Sequence, residues 1–449
     1  MSVSTTWTES ISGAVYVGED IPVAYRTDRS GYVPSSAPEV LVVAADVDDV
    51  RRAVILAADA GLTVVVRGGG SGLAGGASAG AGSLILDVSR LDRILEIAPA
   101  DELAVVQAGV SAAQLDAEAG RHGLRYVPDP ASVAISTIGG NIATNAGGLR
   151  CVKYGVTGDS VLGLSVVLAD GRLIHTGRRT AKGVAGLDLT SLFTGSEGTL
   201  GVIVSATVRL HPIPVRTVTV AAYFADVEQA AAATAAVLSA RVRPSLLELL
   251  DERSLREAQD FLGVRAQSAG AFVVAQTDGF GADAEARIIE STFGQFTSRV
   301  LVGDDPDVAD ELLAVRRSAL PALERYGRVL IEDIAVPRTR IADAVRRITE
   351  IAERHRSQIY TFGHAGDGNL HPIIVVPPED ASAERRASDA ADEIFATALE
   401  LGGTITGEHG VGVLKRRWLE RELGPDALRV QRAVRAALDP SGLFNPGKV

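Results

Sequence analysis

A continuous apolar run over residues 40–44 predicts a buried strand. Asp46 follows as a helix N-cap, with Asp49 at the third helical position and Gly61 closing the helix. Thr63–Arg67 supplies another strand, so residues 39–67 predict a β-α-β unit. A further strand is expected at 83–88, a hairpin at 161–169 and 172–176 about Asp170-Gly171, and a strand at 202–210. Pro212 and Pro214 break both helix and sheet and predict a domain boundary. Beyond it, strands and helices alternate. A strand at 217–224 leads to a helix capped by Asp226, with Gln229 completing a capping box. Then come an acidic loop at 303–307, a helix over about 308–326, a strand at 328–336 and a helix over about 338–355. Two β runs, 358–362 and 372–376, and helices over roughly 380–401 and 425–438 complete the pattern. Strands separated by helices and ending in a hairpin predict an antiparallel α+β domain.

The turn between the two β runs carries the first candidate chemistry. It reads Gly363-His364-Ala365-Gly366-Asp367-Gly368-Asn369-Leu370-His371, and Asp367-Gly368 is a strong turn signal. A four-residue turn over 366–369 would pair Ala365 with Leu370. His364 and His371 would then stand directly opposite each other on one face, with Cβ atoms about 5 Å apart. Two imidazoles so placed suit one metal ion, and Gly407-Glu408-His409-Gly410 offers a third ligand. A lone histidine in such a turn is ordinarily a solvent-exposed loop residue. Here 3 of the chain's 7 histidines fall in these two short motifs.

Glycine-rich stretches carry the second. In Arg67-Gly-Gly-Gly-Ser-Gly-Leu-Ala-Gly-Gly76, Gly70, Gly72 and Gly75 match a dinucleotide fingerprint formally, but a Gly/Ala/Ser run and a strand follow instead of a helix. That excludes a Rossmann site and leaves a long loop whose free N–H groups can cradle an anion such as a pyrophosphate. A second segment, Thr137-Ile-Gly-Gly-Asn-Ile-Ala-Thr-Asn-Ala-Gly-Gly148, lets backbone approach a large planar ligand and hydrogen-bond its edges. A third cluster, Thr194-Gly-Ser-Glu-Gly-Thr-Leu-Gly201, fails the serine-hydrolase elbow pattern around Ser196.

Composition narrows the classes. A 449-residue chain with 46% hydrophobic and 22% charged residues is globular, with room for two or three domains. A net charge of −12 argues against general affinity for nucleic acid or anionic membranes. The single cysteine, Cys151, rules out an intramolecular disulfide. No signal-peptide pattern and no long apolar run stand in the sequence, so a cytoplasmic protein without a membrane span is expected.

Together, RGGGSGLAGG, PDPAS, TIGGNIATNAGG, KYG, TGSEGTLG, HAGDGNLH, GEHG and LFNPGK resemble the FAD-linked 2-hydroxy-acid dehydrogenases of the vanillyl-alcohol-oxidase fold. That group includes D-lactate dehydrogenase, the glycolate oxidase flavin subunit and D-2-hydroxyglutarate dehydrogenase. The resemblance covers the chain from about residue 20 onward. It implies an α+β protein: a two-subdomain FAD-binding domain over 1–212, an antiparallel α+β cap domain over 213–400 with the metal hairpin, and a helical C-terminal segment over 401–449 returning to the flavin. By resemblance, Gly68, Gly69, Gly70, Ser71 and Gly72 hold the pyrophosphate. Ser132, Gly139, Gly140, Asn141 and Thr144 line the isoalloxazine and ribityl region. Ile203 lies on the adenine side and Asn445 near the ring. No histidine follows the first glycine loop where some relatives attach flavin, so non-covalent FAD is expected.

The resemblance and the residues agree on the site chemistry. His364, His371 and Glu408 would hold one divalent ion, and this donor set suits Zn²⁺, Mn²⁺ or Fe²⁺. A 2-hydroxy acid would chelate it, and His409 would take the hydroxyl proton as the Cα hydride leaves for flavin N5. By resemblance, Arg316 binds the substrate carboxylate and Asn369 lies within hydrogen-bond reach of substrate; otherwise Arg316 reads as a charge on a surface helix. The hydroxyglutarate-oxidising members of the family carry a lysine in the strand before Asp333. Here that strand reads Val329-Leu330-Ile331-Glu332-Asp333, and an acidic tail would meet Ile331 or Glu332, depending on how the strand faces. A short monocarboxylate such as D-lactate is therefore favoured over D-2-hydroxyglutarate; glycolate and D-2-hydroxyglutarate dehydrogenases are the near alternatives. A metal-free sugar or lactone oxidase of the same fold would not need the metal ligands. A metallohydrolase would leave the glycine-rich stretches unexplained. The sequence names no electron acceptor among quinone, cytochrome, electron-transfer flavoprotein and oxygen.

Overall fold

The computed structural model describes residues 3–264 and 268–449, with side chains from residue 7. Two compact units emerge: one formed by Met1–Gly148, Gly155–Ile213 and Glu408–Val449, the other by Leu149–Tyr154 and Pro214–Gly407. Among the described residues no helix is long and apolar enough to cross a membrane.

The first unit carries two larger sheets and the small two-stranded pair Leu124–Arg125 and His211–Pro212. In one, Val40–Val43 and Thr63–Arg67 both run parallel to Ser83–Asp87, which lies between them. The helix Val47–Asp59 connects the first two, capped as expected by the Asp46 carboxylate on the Asp49 amide. Asp49 does more than its helical position implies: its buried carboxylate accepts from the amides of Ser12, Gly13 and Ala45, tying the N-terminal segment down. The other sheet has five antiparallel strands, with Val202–Arg209 at its centre between Leu103–Gln107 and Val161–Val167. Each larger sheet has its own apolar core. The C-terminal tail joins the first of these cores through Leu443 and Phe444, and the Asn445 amide donates to Val64 O at 2.8 Å.

The 137–148 stretch, read only as a small-residue segment, begins as the helix Ile138–Thr144, capped by Thr137 Oγ1 on the Gly140 amide. Gly139 fits there because a Cβ would stand 2.6 Å from the Ala108 Cβ.

The second unit is built on a single eight-stranded antiparallel sheet. Thr217–Phe224, Ala271–Asp278, Leu246–Asp251, Gln358–His364 and Asn369–Val376 follow one another across it, with Arg328–Ile331 beyond. One core of this unit draws Leu246, Leu250, Phe362 and Ile373 together with Leu255, Leu312, Val315 and Leu323 from the helices. Three sequence expectations need correction here. The single helix over 308–326 is two helices, Pro306–Arg317 and Ala319–Glu324. Pro321 lacks the amide that would bond to the Arg317 carbonyl, and its ring crowds that carbonyl. The strand over 328–336 is interrupted: Arg328–Ile331 and Ile334–Ala335 both pair with Asn369–Val376, while buried Asp333 lies between them. The last helix, in the first unit, begins earlier than 425, at Leu419, and bends at Gly424, whose φ is +77°.

Candidate active site

In the first unit, the loop after Thr63–Arg67 turns back against residues 135–137. A Cβ on Gly68 would meet Thr137 Oγ1 at 2.3 Å, and one on Gly69 would meet Ile135 O at 2.0 Å, so only glycine allows this approach. Gly70 adopts a φ of +64° beneath the Arg67 guanidinium. Among the described residues, the amides of Gly69, Gly70, Ser71 and Gly72 donate to no protein acceptor. Nearby, the buried Ser136 Oγ and Asn141 Nδ2 also lack a partner among the described residues. Unused amides beside a glycine turn form an anion cradle, and orphaned buried polar atoms call for a polar ligand. Both fit the pyrophosphate and ring edges of a dinucleotide such as FAD.

The other residues expected around the cofactor are placed as follows. Ser132 sits on the turn entering Thr137, accepting the Ser136 amide at 2.8 Å. Thr144 Oγ1 donates to Gly140 O at 3.2 Å. Ile203 is buried in the core of the five-stranded sheet. Asn445 is buried, and its amide donates to Gly76 O and Glu197 O. Its Oδ1 accepts from Lys448, whose burial lowers its pKa to about 8.

Glu197 is a residue the sequence reading left without a task. Its buried carboxylate accepts the Val411 amide at 2.7 Å and the Gly412 amide at 2.8 Å, which fixes the loop just after Glu408 and His409. A Cβ on Gly410 would strike the same carboxylate at 3.0 Å. Burial raises the Glu197 pKa, against the pull of those amides and of Lys415 and Lys448. The folded state thus holds the proton more tightly than the unfolded chain. The cost of ionising it accrues as pH rises from about 4 through the raised folded value. Glu197→Gln keeps the shape but places an amide donor against a donor. A loss of about 1–3 kcal/mol is expected, with wild type's advantage larger near pH 5 than near pH 8, measured by denaturant unfolding at both.

In the second unit the histidine hairpin forms with a different register from the expected one. Gly363 pairs with Leu370 and His364 with Asn369, so the loop is 365–368. The turn closes through the Asp367 and Gly368 amides on His364 O, and the positive φ of +93° falls on Gly368. His371 therefore lies opposite Phe362, diagonal to His364. A shift of two residues preserves the face, because strand side chains alternate. Both histidines are 5% exposed, and their Nε2 atoms are 3.3 Å apart. Two nitrogens bound to one tetrahedral ion stand about 3.4 Å apart, so this pair could hold a metal.

Two carboxylates stand behind the pair. Glu248 Oε1 is 2.7 Å from His364 Nδ1, and Asp333 Oδ1 is 3.9 Å from His371 Nδ1. Burial pushes the Glu248 carboxyl up, but the facing His364 and Arg316 outweigh it and hold the carboxyl below its usual range. Asp333 also accepts from Asn369 Nδ2, Thr406 Oγ1 and the Gly407 amide. Asn369 gives its remaining amide hydrogen to Ile334 O. Gly407 packs where a Cβ would lie 2.1 Å from Asn369 Nδ2. Glu408 follows one peptide bond later, on the first unit's side of the boundary, with His409 Nε2 3.5 Å from its Oε1.

Arg316 is 12% exposed in its side chain, so it is not a surface charge. Its Nε donates to Glu248 Oε2 at 2.8 Å, and its plane lies over Phe362, 4.6 Å from the ring centre. Its Nη groups make no other hydrogen bond among the described residues, which leaves the end of the guanidinium available to a carboxylate. The register also settles which side of the strand before Asp333 faces this site. Ile331 pairs with Ile373, two residues from His371, so Ile331 shares the histidine face and Glu332 points to the other.

A flavin cradle in one unit and a paired-histidine face in the other define a flavoprotein oxidoreductase. Residues 213–449 match the family of FAD linked oxidases, C-terminal domain, and residues 38–177 match the FAD binding domain family. The chain belongs to the FAD-linked oxidases and is an FAD-dependent oxidoreductase. It is 40% identical to glycolate oxidase subunit GlcD of Bacillus subtilis, over 92% of this chain and 89% of that one. It is 35% identical to a D-lactate dehydrogenase of Archaeoglobus fulgidus, over 99% of each. Among solved structures, 4-ethylphenol oxidase from Gulosibacter chungangensis matches with a TM-score of 0.82 at 18% identity, over 99% of this chain and 96% of that one. p-Cresol methylhydroxylase matches with a TM-score of 0.82 at 16% identity over the same shares. These two show the fold, that of the vanillyl-alcohol-oxidase type.

Proposed function

We propose that the protein oxidises a short D-2-hydroxy monocarboxylate, D-lactate or a close homologue, to the 2-oxo acid. The observation that carries this reading is the buried His364–His371 pair beside the free end of Arg316 on one sheet face. Bound FAD supplies the acceptor for the Cα hydride, and a divalent ion supplies the charge that lowers the pKa of the substrate hydroxyl. His364, His371 and Glu408 would hold the ion; Glu408 follows Gly407, whose amide is held by Asp333. Arg316 clamps the carboxylate through its Nη edge. His409, next to Glu408, takes the hydroxyl proton. Asn369 buttresses the site from its bonds to Asp333 and Ile334, leaving its carbonyl for substrate. The D configuration rests on the family resemblance.

The tail of the substrate is read from the wall. Ile331, Ile373 and Phe362 share this face with His371, and an unpaired carboxylate among them is costly. The expected order of kcat/KM is D-lactate and D-2-hydroxybutyrate above D-2-hydroxyglutarate, measured with a dye acceptor. A diacid preferred by more than about tenfold, roughly 1.4 kcal/mol, overturns the pocket reading. Glycolate belongs in the same panel because of the 40% identical relative. Full turnover after exhaustive chelation points instead to a metal-free oxidase of this fold.

The flavin is read as non-covalent, from the absence of a histidine after the glycine loop. Acid precipitation is expected to release all yellow colour into the supernatant; colour retained on the polypeptide refutes it.

A further inference from the structure

Glu248 lies in the middle of Leu246–Asp251, in register with His364 on one neighbouring strand and Val274 on the other. It is fully buried, and the next residues on its face are Leu246 and Leu250. An ionised carboxylate in such surroundings is expensive unless each oxygen has a partner. Both do: His364 Nδ1 at 2.7 Å on one oxygen and Arg316 Nε at 2.8 Å on the other. The division is specific. Each partner is held by one edge: His364 by Nδ1, with its Nε2 turned toward His371 Nε2 at 3.3 Å, and Arg316 by Nε, with both Nη groups left for ligands. A carboxylate serving only to neutralise Arg316 would gain more by meeting the two-pronged Nη edge.

We propose that Glu248 is a positioning residue that joins the two halves of the substrate site. It fixes His364 as the Nδ1–H tautomer, so that the Nε2 lone pair faces the metal position, and it turns the Nη edge of Arg316 toward the substrate carboxylate. This deepens the function proposed above and rests on that reading of the His364–Arg316 face. Because one side chain orients both, its loss weakens metal and substrate binding together, although Glu248 touches neither.

The test uses the full-length FAD-loaded protein, stripped of metal and titrated with Zn²⁺ by calorimetry, beside Glu248→Gln. The expected result is a metal dissociation constant raised about 10–100-fold, as is usual when a partner behind a ligating histidine is removed. The KM for D-lactate should rise in parallel, with flavin content and visible spectrum unchanged. A second measurement needs no variant: in wild type carrying ¹⁵N-labelled histidine, His364, assigned by comparison with His364→Gln, is expected to show a protonated Nδ1 and a bare Nε2 before metal is added. Zn²⁺ bound by wild type and by Glu248→Gln within threefold overturns the inference alone, as does an Nε2–H tautomer. Wild type that binds no Zn²⁺ overturns the proposed function and this inference with it. Should Glu248→Gln fail to fold, the tautomer decides.

Discussion

His371→Ala is expected to lower turnover by roughly 10³-fold or more while FAD content stays that of wild type. On the proposed mechanism, a divalent ion held here would contribute several kcal/mol of charge stabilisation at the substrate oxygen, and each 1.4 kcal/mol is about tenfold in rate. His371 supplies one of two Nε2 atoms 3.3 Å apart, and a single imidazole does not hold a divalent ion firmly at that position. The cavity left by the ring lies against Phe362 and His364, in the unit that contains none of the glycine-rich cofactor loops. The flavin cradle is therefore left intact. Metal analysis, flavin absorbance and dye-linked turnover on one preparation separate the three effects. A metal-free mutant with wild-type turnover rules out a role for the ion.

His409→Ala is expected to slow flavin reduction by about 10²–10⁴-fold, the usual scale for loss of a general base. In contrast to His371→Ala, it should retain metal, since the proposed ligands His364, His371 and Glu408 remain. The loop that carries His409 is fixed from outside the motif by Glu197 on the Val411 and Gly412 amides, so removing the imidazole leaves its backbone in place. Stopped-flow mixing with D-lactate in the absence of an acceptor isolates reduction from the later electron transfer. Unchanged single-turnover reduction moves the role of base to another group.

Much of the site was legible in the chain because it is built from short local motifs. The glycine loop was read as an anion cradle because a strand rather than a helix follows it, and the structure leaves the amides of Gly69 to Gly72 without protein acceptors among the described residues. The three carboxylates that shape the site were not read. Glu248 left a usable signal: one acidic residue inside Leu246-Leu-Glu-Leu-Leu250, a run that otherwise belongs in a core. Charge at the centre of a buried strand is costly and implies partners. The sequence could not say which, because His364 and Arg316 are 116 and 68 residues away. Glu197 sat inside a recognisable cofactor motif and was absorbed into it. Asp333 was seen as part of a strand, whereas it interrupts one.

By itself the sequence determined which strand face His364 and His371 share, because side chains alternate with a period of two and an even register error leaves the face unchanged. It likewise determined the helix caps at Asp46 and Asp226, whose bonds reach only three residues along the chain. The tertiary structure decided the hairpin register, through the loop geometry that puts its positive φ on Gly368. It decided that Ile331, and not Glu332, faces the histidines, because that follows from pairing with Ile373. And it decided that Arg316 is a buried, oriented guanidinium instead of a surface charge. That depends on Glu248 and Phe362 arriving from two other strands, and no local pattern encodes the meeting of segments so far apart.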